Sequence, residues 1–68
     1  MNLPDALLDL FGEDAATGRW IACLYSAVDT REIERALAEH GMSYQTQIIR
    51  SRKKGIYYRI TLLESVYA

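Results

Sequence analysis

Polar and apolar residues alternate through the last third of the chain. Strict alternation is the mark of a strand with one face covered. Residues 42–51 and 56–63 therefore read as two strands of a hairpin, joined by Arg52-Lys53-Lys54-Gly55. Glycine at the end of a three-residue loop, Lys53-Lys54-Gly55, suits a type I turn followed by a left-handed residue. Arg52 then faces Ile56. Tyr44 and Ile48 share a face with Ile56, Tyr58, Ile60 and Leu62. The other face carries Gln45, Gln47, Ile49 and Ser51 with Tyr57, Arg59, Thr61 and Leu63. A two-residue loop would flip one strand and mix oily and polar sets.

Helical spacing dominates upstream. Asp29-Thr30-Arg31-Glu32 has the spacing of a capping box, and Val28 with Ile33 that of a hydrophobic staple. The helix this predicts runs to Glu39 or His40 and stops at Gly41. Ile33, Ala36, Leu37 and His40 fall on one face, while Arg31, Glu32, Arg35 and Glu39 fall on the other. Residues 2–11 predict a further helix, with Asn2 as N-cap, Pro4 in the first turn and an apolar stripe of Leu3, Leu7, Leu8, Leu10 and Phe11. Gly12 ends it, and residues 13–18 form an acidic loop of small residues. Residues 19–28 (Arg-Trp-Ile-Ala-Cys-Leu-Tyr-Ser-Ala-Val) read as a strand apolar on both sides.

The expected order is α-β-α-β-β in one α+β domain covering residues 1–68. A strand, a helix and a hairpin predict a split β-α-β unit, with the last strand between the first two. The expected fold is a three-stranded antiparallel sheet, half of a ferredoxin-like sheet, with two helices on one face. Such a fold implies no function by itself.

Charge divides the chain. From residue 49 onward, Arg50, Arg52, Lys53, Lys54 and Arg59 stand against a single acid, Glu64. Before it, three arginines stand against eight acids. The overall charge of −1 hides one basic end, and a partner is expected there. A 68-residue chain buries a modest share of its surface, so oligomerisation or a partner is a natural support. The one cysteine, Cys23, excludes an intrachain disulfide and points to a reducing, cytoplasmic setting. Cys23 and His40 alone cannot make a zinc site. No segment approaches the roughly 20 apolar residues of a membrane helix.

No catalytic set is evident. Cys23 lies mid-strand and reads as a small buried hydrophobe, and His40 reads as a helix-end residue favoured by the dipole. The carboxylates scatter over caps and helix surfaces, and no glycine-rich phosphate loop is present. The chain reads as a non-enzyme without cofactor or metal.

The binding candidates are Arg50, Arg52, Lys53 and Lys54 at the turn, with Tyr57 and Arg59 beside them. If Trp20, Ala22 and Leu24 face the helices, Arg19, Ile21, Cys23 and Tyr25 face outward, beside Tyr57, Arg59, Gln45 and Gln47. Tyrosine and arginine are enriched in protein interfaces. Aromatics, amides and arginine on an open sheet also suit single-stranded nucleic acid. The first expectation is a protein-binding module, an adaptor or an inhibitor that occludes a partner's surface. Phage-encoded inhibitors of bacterial defence, anti-CRISPR proteins among them, share its small size, although no motif carries that comparison. The alternative is a nucleic-acid-binding or regulatory domain using the basic hairpin. A third reading has the first strand pair at a sheet edge with its own copy.

Overall fold

The computed structural model describes residues 3–64. It is a small α+β fold: an open four-stranded antiparallel sheet with one main helix. In chain order the elements are α1 (Asp5–Leu8), β1 (Gly12–Glu13), β2 (Trp20–Leu24), α2 (Ala27–Glu39), β3 (Tyr44–Ser51) and β4 (Gly55–Leu62). The sheet order is β1-β2-β4-β3, so the last strand lies between β2 and β3 as expected.

The sheet has four strands where three were expected. The added strand, β1, is two residues long and pairs Gly12 with Ile21 and Glu13 with Trp20. Its loop is closed by Asp14, which exchanges backbone bonds with Gly18 and Arg19 and whose carboxylate accepts from the Thr17 hydroxyl. β2 is therefore flanked by β1 over its first two residues, and the expected edge position does not hold there. β2 is also shorter than the expected strand, because Ser26 begins a helix.

The N-terminal helix shrinks from ten expected residues to the four of α1. Leu10 and Phe11 donate to carbonyls three residues back, a tightening turn that delivers Gly12 to the sheet. A single helical turn has no stability of its own, and packing holds it. Leu3, Leu7 and Phe11 enter the core at a spacing of four, whereas Leu10 is exposed. Pro4 stands at the N-cap; Asn2, the expected cap, lies outside the described residues.

α2 starts earlier than expected. Its N-cap is Ser26, whose hydroxyl accepts from the Asp29 N–H at 3.3 Å. Asp29 is thus in the first turn rather than at the cap, and Val28 is an exposed helical residue rather than a staple. Thr30 is buried and donates its hydroxyl to the Ser26 carbonyl at 2.8 Å. The C-terminus follows the expected stop. Gly41, at φ 69°, donates to Ala38, and Met42 donates back to Leu37, which closes a Schellman motif. Leu37 and Met42 both lie in the core.

The hairpin keeps the expected faces with a shifted turn. Ser51 pairs with Gly55 and Arg50 with Ile56, leaving Arg52, Lys53 and Lys54 between them. Arg52 does not face Ile56. The slip leaves side-chain parity intact, so no residue changes face. Gly55 takes the left-handed conformation at φ 75°. Ala22, Ile60 and Leu62 meet Leu37 and Met42, with the N-terminal segment packed beside them. That core lies on one side of the sheet. Among the described residues no helix is long and apolar enough to cross a membrane.

Candidate interface on the open sheet face

The register fixes what the other side presents. Cross-strand partners share a face, so the uncovered side carries three rows. Nearest the turn are Tyr57 and Ile49, with Tyr25 just past the end of β2. Next come Cys23, Arg59 and Gln47. The last row is Ile21, Thr61 and Gln45. None of these nine side chains is fully buried. Rows lie two residues apart, about 7 Å.

Arg59 occupies the centre of this array and is its only charged group. A guanidinium N–H donates to the Gln47 amide oxygen at 2.7 Å. Its Nε is shielded from solvent and has no acceptor among the described residues. An N–H held in that state costs about 1–3 kcal/mol until an acceptor meets it. Beside Arg59, the rings of Tyr25 and Tyr57 lie 5.8 Å apart at 45°. Tyr25 is 63% exposed. Tilted pairs at this distance are favourable, so the platform is set by the tyrosines themselves.

The expected binding residues are divided among three places. Tyr57 and Arg59 are on the open face. Arg52, Lys53 and Lys54 form the exposed turn, where the Lys54 N–H donates to the Ser51 hydroxyl at 3.1 Å. Arg50 points to the helix-covered side, opposite Ile56. Arg50, Arg52 and Ile56 line a shallow hollow of about 280 Å³ there. The turn connects the two sides, but Arg50 and Arg59 cannot meet one flat partner together.

Two expectations about this region need correction. Cys23 is exposed opposite Arg59, not a buried hydrophobe, because Ala22 takes the inward position. The oily face of the hairpin is only half covered: Ile60 is fully buried, while Ile48 and Ile56 are 65% and 57% exposed. β2 reaches only as far as Tyr58, and α2 begins just beyond it, so among the described residues nothing roofs the last rows before the turn.

One residue escaped the sequence reading. Glu34 is half-buried, and its carboxylate accepts from the Thr46 hydroxyl at 2.6 Å. Its position, four after Thr30 and three before Leu37, borders the apolar stripe of α2, and that was the available signal. Among the described residues no cluster of three or more His, Cys, Asp or Glu is placed to hold a metal ion. At the far end of the sheet, Arg19 donates to the Leu63 carbonyl and Glu64 accepts from the Ser43 N–H. No protein-family model, curated protein or solved structure matches the chain.

Proposed function

We propose that this protein is a non-enzymatic protein-binding module, an adaptor or an occluding inhibitor, that docks through its open sheet face. One observation carries the reading. Nine outward side chains include two tyrosines and two isoleucines but one charge, the central Arg59. Interface cores are depleted in charge and enriched in aromatics and arginine. A partner carbonyl or carboxylate placed on the Arg59 guanidinium would supply a charge-assisted bond at the centre of the contact, where binding energy concentrates. The basic turn would form a rim that steers an acidic partner.

The supporting sheet is read as the split β-α-β half of a ferredoxin-like sheet, with α1 and α2 on its covered face. An exposed lone thiol fits a reducing cytoplasm. Small size is consistent with a phage-encoded inhibitor of bacterial defence, such as an anti-CRISPR protein, and carries no more than that.

The second reading is single-stranded nucleic acid stacked on Tyr25 and Tyr57. The tyrosine pair between Arg59 and the basic turn favours it. A single cation on the face weighs against it, because phosphate binding draws on several.

Affinity capture by the wild-type chain and by Tyr57→Ala/Arg59→Ala, each after nuclease treatment, separates the two. The expected result is a protein retained by the wild type and lost from the variant. Loss of capture on nuclease treatment, with a gel shift of single-stranded oligonucleotides that collapses as salt rises, would transfer the function to the second reading.

A further inference from the structure

The two edges of the sheet are unequal. β1 closes one with two residues, and β3 closes the other with eight. Natural edges are blunted by brevity, proline, lysine or bulges. β1 is brief, but from Tyr44 to Ile49 the β3 edge has no charge and no proline. Its outer side has no strand partner among the described residues.

Charge along this edge is polarised. At its start, the Glu64 carboxylate sits on the Ser43 N–H, and Glu39 ends the helix just before. At its other end stand Arg50, Arg52, Lys53 and Lys54. An antiparallel pair of such strands sets the acidic start of each against the basic end of the other. It also holds the two basic turns at opposite ends of the pair. A parallel pair would stack them.

We propose that two copies of the chain pair antiparallel along β3, with the two-fold axis beside Ile48. This inference is independent of what docks on the open face. A continuous sheet requires partners of the same parity, so the residue on the axis faces its own copy. Ile48 is the most exposed large apolar residue of β3, and self-pairing covers it twice. In this register Arg50 of one copy lies opposite Thr46 of the other. The Thr46 hydroxyl is bonded to Glu34, whose carboxylate makes no ion pair among the described residues. A groove of about 300 Å³ lined by Thr30, Arg31, Glu34, Thr46, Ile48 and Tyr58 lies at this spot. The Arg50 side chain of the second copy enters it and meets Glu34, which then lies between that guanidinium and Arg31. Both helices fall on one side, and the two open faces merge into one.

The test is a charge exchange read by sedimentation equilibrium, with circular dichroism as the check on folding. The wild type is expected to reach twice the 7.8 kDa chain mass at high micromolar concentration. Arg50→Glu alone and Glu34→Lys alone should each weaken the dimer about tenfold or more, because like charges then meet at both contacts. Mixing the two variants should restore it, since each contact regains opposite charges. A monomeric wild type overturns the proposal. So does a dimer indifferent to both reversals, which would place the interface elsewhere. Two folded variants that stay monomeric when mixed also overturn it.

Discussion

The two sides of this sheet are built from the same strands by opposite rules. On the covered side, Ala22, Ile60 and Leu62 lose nearly all contact with water against Leu37 and Met42. On the open side, every position keeps some exposure, and the residues shield one another across strands. Hydrophobic burial concentrates on the first side, so stability should be sensitive there and tolerant on the second.

The sharpest way to expose that contrast is a core deletion. Leu37→Ala or Ile60→Ala, both at 0% exposure, should cost about 2–5 kcal/mol, a large share of the stability of any small domain. Urea denaturation should show a collapse of the midpoint or an unfolded chain. A loss of a few tenths would mean that the helix does not seal this face.

Next in size are the capping effects that hold α2 over the sheet. Ser26→Ala should cost about 1 kcal/mol, while Asp29→Ala should cost a few tenths through the helix dipole alone. Equal midpoints for the two variants, or the reverse order, would move the start of α2.

On the open face the expected losses are smaller and differ in kind. Tyr57→Ala removes the ring pair and should cost about 1 kcal/mol. Arg59→Leu should fall within about 0.5 kcal/mol of wild type, because losing the bond to Gln47 is offset by removing an N–H that has no acceptor among the described residues. A large loss from Arg59→Leu would make the arginine structural and count against the proposal that it is a docking group.

The smallest stability effect belongs to the turn. Arg52→Glu, Lys53→Glu and Lys54→Glu together should change stability by about 0.5 kcal/mol or less. The same triple should slow association with any acidic partner and flatten its salt dependence. An unchanged association rate would leave the turn as a solvated end.

Much of this arrangement was legible because alternation is a local signal. Tyr57, Arg59, Gln45 and Gln47 could be placed on one face from parity alone, and parity survived a two-residue error in the turn. The cap was ambiguous for a physical reason. Ser26 with Asp29 and Asp29 with Glu32 have the same spacing, and in the structure Ser26 takes the cap, with the Thr30 hydroxyl donating to its carbonyl. β1 left no signal, because two residues acquire strand character only by pairing with β2. The half-roofed hairpin was equally hidden. A 13-residue helix spans roughly 20 Å and an eight-residue strand roughly 27 Å, but where one begins over the other is a tertiary fact. Glu34 became a candidate only once Thr46 was seen beside it.

The strand order has a consequence for how the molecule comes into being. Among the described residues, β4 alone touches both β2 and β3, and it is the last of the four strands to be synthesised. While it is still within the ribosome, β2 has only two residues of β1 to pair with, and β3 has no strand at all. The nascent chain can form α2, but it can lay that helix only on Ala22 of β2 and the N-terminal segment, without Ile60 and Leu62. The sheet and the core are complete only with the second arm of the hairpin, whose pairing with β2 is long-range and therefore slow to form.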